Sequence, residues 1–122
     1  STDAAKPGEL NRNFVSAVRF LNMSVENGVA GDRVSLAIVV HGGATKDLTV
    51  DARYGAEGGA ANANAPLIAA LHESGAEIYL CGQSAAAYRI SKADLLPGVQ
   101  MALSAMHAHA ILDAQGYTLN PF

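Results

Sequence analysis

The chain carries one cysteine, Cys81. It closes the apolar run Glu77-Ile78-Tyr79-Leu80-Cys81, and Gly82-Gln83-Ser84 and an alanine-rich stretch follow at once. That order predicts a strand, a tight glycine turn and the first turn of a helix. A thiol at such a junction lies where backbone N–H groups converge and the helix dipole favours negative charge, so its thiolate is stabilised. It can carry a sulfur atom or attack an electrophile. With no second cysteine it forms no internal disulfide. The competing reading is a small hydrophobe packed at a strand end.

Two more strand ends bear polar groups. The β-branched run 34–40 ends at His41-Gly42-Gly43, and the run 99–103 ends at Ser104. Ligands of open parallel sheets bind beyond the carboxyl ends of the strands. Cys81 and His41 are therefore the candidate reactive residues, with Gly42, Gly82, Gln83 and Ser104 as ligand contacts. Glycine beside a polar group lets backbone approach a ligand closely. His41 is read as a proton donor or a positive neighbour of the thiol, against the plainer reading of a histidine satisfied by backbone.

Met101, Met106, His107 and His109, with Cys81, form a soft donor set of the kind that suits copper. Residues two apart on a helix point in different directions, however, so His107 and His109 do not readily share one ion. No metal and no cofactor is expected. The run from Gly55 to Ala60 lacks the Lys-Ser/Thr ending of a phosphate loop. Ser35, Ser84 and Ser104 show no nucleophile-elbow pattern.

These residues must be held by a small frame. The 122 residues suit one domain over 1–122. Half are hydrophobic, 6% are aromatic and none is Trp, so the apolar mass suits helices packed closely on a buried sheet. No apolar run reaches the roughly 20 residues of a membrane span. The net charge of −3 and scattered Lys and Arg argue against nucleic acid as partner. One cysteine excludes a disulfide framework and a Cys-rich zinc site.

Residues 1–8 read as a lead-in loop. Residues 9–27 predict an amphipathic helix with Phe14, Val18 and Leu21 on one face, stopped by Gly28. The run 34–40 predicts a central strand buried on both faces. A short helix is expected over 44–52 and a loop over 54–64. Residues 65–74 predict a helix with Leu67, Ala70 and Leu71 inward. A strand at 78–81, a helix at 84–88, a turn-rich link at 91–97, a strand at 99–103 and a helix at 105–115 follow. Residues 117–119 are expected as a final edge strand. Strands alternating with helices imply parallel pairing by right-handed crossovers.

Several segments together carry a family resemblance: Gly8-Glu9-Leu10-Asn11-Arg12-Asn13, Arg19-Phe20-Leu21-Asn22-Met23, Val39-Val40-His41-Gly42, Ala44-Thr45-Lys46-Asp47-Leu48, Cys81-Gly82-Gln83-Ser84, Asp94-Leu95-Leu96-Pro97-Gly98-Val99 and Gly116-Tyr117-Thr118-Leu119-Asn120-Pro121-Phe122. In this order and spacing the chain resembles the DsrE/DsrF-like proteins of sulfur oxidation and sulfur relay. The resemblance implies a three-layer α/β/α sandwich with a mostly parallel sheet, flavodoxin-like in outline. It implies a homo-oligomer, a trimer or hexamer, with sulfur donor and acceptor proteins as partners.

It further implies a sulfur carrier, with sulfurtransferase activity, that holds sulfane sulfur as a persulfide on Cys81. His41 matches a recurring strand-end histidine. His109 matches a position often occupied by histidine, whereas His107 departs from the pattern. The alternative is a non-catalytic binding or assembly module with a structural cysteine. The family usually has a strand before its first helix, so that strand is expected ahead of Ser1, and the chain as the processed or trimmed remainder. A bacterial, periplasmic location is expected over a cytoplasmic one.

Overall fold

The structure, a computed structural model, describes residues 4–57 and 59–120. Residues 1–3, Gly58 of the glycine-rich run, and Pro121 and Phe122 of the matched tail lie outside the described residues.

Helix α1 spans Arg12–Glu26. Asn11 caps it, its side chain accepting the Asn13 N–H at 3.0 Å. Phe14 and Ala17 are buried on its inner face, and Val18 and Leu21 pack beside them as the periodicity predicts. The helix ends in a Schellman motif. Gly28 adopts φ +88°, and the N–H of Val29 reaches back to the Ser24 carbonyl at 3.0 Å.

Three strands make the sheet: β1 (Ala37–Val40), β2 (Glu77–Cys81) and β3 (Val99–Ala102). They run parallel in the order β1-β2-β3. Val40 stands opposite Leu80, and Cys81 opposite Ala102. This corrects the expectation for 34–40. The strand is shorter, and among the described strands β2, not β1, is central; accordingly the first two residues of β1 are only partly buried.

After β1 the chain makes a 3-10 stretch, Gly42–Leu48, and a single helical turn, α2 (Asp51–Tyr54). Helix α3 (Ala65–Glu73) begins with Pro66 in its first turn. Ile68 and Leu71 are its buried residues, while Ala70 faces outward, contrary to the expected inward set. Helix α4 (Gly82–Ala87) follows β2 directly, two residues earlier than the pattern predicts. Helix α5 (Ala105–Ala114) follows β3. Residues 117–119 form no strand. The Tyr117 N–H instead bonds the Leu112 carbonyl at 3.0 Å, closing the end of α5.

The two faces of the sheet follow from the alternation of strand side chains. Val40, Ile78 and Leu80 turn to one side, where Phe14, Leu48, Ile68, Leu71 and Ala85 complete the main core. Val39 turns to the other side and meets Ala108 and Leu112 of α5, with Ala37, Tyr79 and Ala102 around them. The result is an α/β/α sandwich with α5 lying over all three strands.

A buried polar cluster ties the 3-10 stretch to its surroundings. Asp47 Oδ2 accepts from Asn11 Nδ2 at 2.7 Å and from the Ala5 N–H at 3.0 Å. Asn62 Nδ2 donates to the carbonyls of Asp47 and Thr49 at 2.9 and 2.7 Å. Asn64 Oδ1 accepts the Asn11 N–H at 2.7 Å. Burial raises the Asp47 pKa, and the donors Asn11 and Ala5 pull it partly back. The cluster holds rigid the loop that follows β1.

Candidate functional site

Cys81 ends β2 and caps α4, with φ −61° and ψ 119°. An N-cap side chain faces the N–H groups of the second and third helical residues, here Gln83 and Ser84. No donor makes a close cap hydrogen bond to the sulfur. Burial pushes the thiol pKa up, but the Ser84 N–H and hydroxyl, the Ala105 N–H and the Gln83 N–H together bring it below the ordinary value. These donors belong to the first turns of α4 and α5. Cys81 is 4% exposed.

Gly82 is required by close approach rather than by its dihedral angles. A Cβ there would lie 2.7 Å from the Ala102 carbonyl oxygen and 3.0 Å from that of Leu103. The first turn of α4 thus grazes the end of β3.

The loop after β1 joins the same site through its backbone. Gly42, at φ +62°, donates its N–H to Ser84 Oγ at 3.0 Å. Ser84 therefore touches both strand ends. In the sequence Ser84 stands out only as the end of the Cys81-Gly82-Gln83-Ser84 segment and shows no nucleophile-elbow pattern. Its position three residues after a helix-capping cysteine is the signal that marks it.

The other predicted residues separate into two groups. Ser104 caps α5 and is buried; its Oγ accepts the His107 N–H at 3.1 Å and shares a 2.7 Å hydrogen bond with His107 Nδ1. It shapes the helix start that presents the Ala105 N–H. His41 lies half-buried after β1. Burial lowers the His41 pKa, and the neighbouring His109 lowers it further. His109 is exposed on α5 and lines a groove of about 770 Å³ beside β1, shared with Asn13, Ser35, Asp113 and Tyr117. The site thus unites Cys81, Gly82, Gln83, Gly42 and Ser84 over the capped start of α5. His41 and His109 form a neighbouring pair.

A shallow depression beside the start of α4 is lined by Gly82, Gln83, Lys92, Met101 and Leu103. Among the described residues no group of three His, Cys, Asp or Glu side chains is placed to hold a metal ion. No helix among them is long and apolar enough to cross a membrane.

The fold has a solved counterpart. The structure of "Protein of Unknown Function MTH1491" from Methanobacterium thermoautotrophicum superposes with a TM-score of 0.63 at 20% identity, covering 87% of this chain and 88% of that one. At that identity the likeness speaks for the fold alone. No curated protein matches the sequence. A family model does, over residues 1–121, so nearly every segment discussed above falls within it and the chain belongs to the DsrE/DsrF-like family.

Proposed function

We propose that this protein is a sulfur carrier that accepts sulfane sulfur as a persulfide on Cys81 and passes it to an acceptor. The observation that carries this reading is the place of the lone Cys81 at the end of β2 and the N-cap of α4. A buried cysteine in apolar surroundings is ordinarily less acidic, yet here donors from two helix starts outweigh burial. Membership of the DsrE/DsrF-like family agrees with it.

In loading, the Cys81 thiolate attacks the outer sulfur of a donor persulfide. A Cys81 Sγ–S bond forms, the donor's own S–S bond breaks, and the donor leaves as a thiolate. The N–H groups of Gln83, Ser84 and Ala105 steady the anion before attack. His41, at the end of the neighbouring strand, has its pKa lowered chiefly by burial, which favours the neutral imidazole over a fixed positive charge. The exposed apolar side chains Leu103, Met106 and Ile111 suit an assembly of several copies or a docked partner.

The test is intact-mass spectrometry after incubation with glutathione persulfide. Native protein should gain one sulfur, removable by reductant, and Cys81→Ser should gain none. Equal loading of the variant overturns the proposal.

The 4% exposure of Cys81 favours a second reading, a binding or assembly module whose thiol only packs. In that case a thiol probe would react slowly with folded protein and quickly once it is unfolded, and native protein would not load.

A further inference from the structure

Half of the chain's eight lysine and arginine residues gather where α4 ends, although the chain as a whole carries a net charge of −3. The helix closes at Tyr88. Arg53 Nη2 donates to the Tyr88 carbonyl at 2.9 Å, and Lys46 Nζ stands 5.6 Å from the centre of the Tyr88 ring. Arg89 follows directly and Lys92 lies shortly beyond; both are exposed. The negative end of the helix dipole accounts for Arg53.

Arg89 is the costly member of the group. It occupies a left-handed position at φ +55°, where the other helices that end in this motif carry glycine. The dipole would be served as well by a cation in the last turn, where the backbone is unstrained. A side chain kept against backbone strain points to a use for that side chain. The carboxylates closest in the chain are already engaged. Asp94 accepts the Ser91 N–H at 2.9 Å and the Ser91 hydroxyl at 3.1 Å, and Asp51 accepts the Asn62 N–H at 2.8 Å.

Lys92 also lines the depression beside the start of α4, together with the exposed Leu103. An exposed apolar side chain with charge at its rim is the make-up of a protein–protein contact. One exposed ion pair is worth little, so a small anion would be held weakly, whereas several carboxylates on one partner add their pairs. A long polyanion such as nucleic acid would extend past these cations onto a chain of net negative charge. We propose that the end of α4, with Arg53, Arg89 and Lys92 around it and Leu103 at its edge, docks an acidic segment of a partner protein. On the carrier reading, a partner seated there lies beside the strand-to-helix junction that holds Cys81. The surface itself needs no sulfur chemistry.

The experiment follows binding of a fluorescein-labelled, glutamate-rich peptide by anisotropy, with its glutamine counterpart as control. Native protein should bind the acidic peptide at low salt, bind it about three- to tenfold more weakly at about 0.15 M salt, and ignore the glutamine peptide. The double variant Arg89→Glu with Lys92→Glu should bind about tenfold more weakly. Arg19→Glu with Arg33→Glu, on α1 and in the 3-10 turn after it, changes the net charge equally and should stay within about twofold of native. Arg89→Gly should bind about two- to fivefold more weakly although its urea midpoint rises, a split that a purely structural Arg89 does not give. Equal losses in the two double variants overturn the inference, as does tighter binding of a single-stranded oligonucleotide than of the acidic peptide, or no binding by native protein. Circular dichroism confirms that each variant is folded. None of these results bears on sulfur loading at Cys81, which the mass measurement tests separately.

Discussion

Gly82 and Ala102 meet so closely that a Cβ on the glycine would sit 2.7 Å from the alanine carbonyl oxygen. The contact is with backbone, so no rotamer change relieves it. Alanine in an unhindered helical position ordinarily gains about 0.5–1 kcal/mol over glycine. Here the sign should reverse. Gly82→Ala should cost about 1–3 kcal/mol by forcing α4 away from β3, and it should speed alkylation of Cys81 by loosening its cover. Urea unfolding checks the first claim, and a variant as stable as the native protein refutes it.

Arg89 should be replaceable with a gain. Helices α1, α3 and α5 end in Schellman motifs with Gly28, Gly75 and Gly116 at positive φ. Helix α4 ends in the same motif, the Ile90 N–H bonding the Ala85 carbonyl at 2.8 Å, but Arg89 fills the left-handed position at φ +55°. Arg89→Gly should stabilise the fold by about 0.5–1 kcal/mol, the relieved strain exceeding the added freedom of the unfolded chain. A lowered urea midpoint would show that Arg89 makes a compensating contact.

The acidity of Cys81 ties stability to pH. The folded pKa lies below the ordinary value of 9.0. Between the folded and unfolded pKa values the unfolded chain binds the proton more, so stability rises with pH through that window and falls away as pH drops below it. The stability of native protein relative to Cys81→Ser should therefore increase from neutral pH to about pH 9. A difference that shrank over this range would mean an anion destabilised by burial.

Asp47 shows the opposite sign at acid pH. Its folded pKa is raised above 3.8, so the folded state binds the proton more tightly than the unfolded chain does. Its contribution is greatest below that value and is lost as pH rises through the folded pKa. Asp47→Asn should remove this slope. Asp47→Ala should cost about 1–3 kcal/mol at pH 7, because it removes the carboxylate that accepts from the buried Asn11 amide and the Ala5 N–H. Unfolding curves between pH 3 and pH 7 distinguish the two effects.

Much of this protein is determined by its sequence alone. The apolar runs around Val40 and Leu80, the glycines after the helices and the thiol at a strand end together prescribe alternating strands and helices, with Cys81 at a junction. These are local signals, set by side-chain periodicity and backbone permissiveness, and they survive in a linear reading. The tertiary structure alone decided which strand is central, because the run 34–40 is apolar enough for the middle although β2 occupies it. It also decided that Tyr117 closes a helix instead of forming a strand, since its N–H finds the Leu112 carbonyl before any strand edge. Above all it decided the membership of the site. Ser84 accepts the Gly42 N–H, and Gly82 meets the Ala102 carbonyl, because parallel strands bring residues about twenty to forty apart in the chain to one sheet end. Hydrogen bonds across that distance have no periodicity to read.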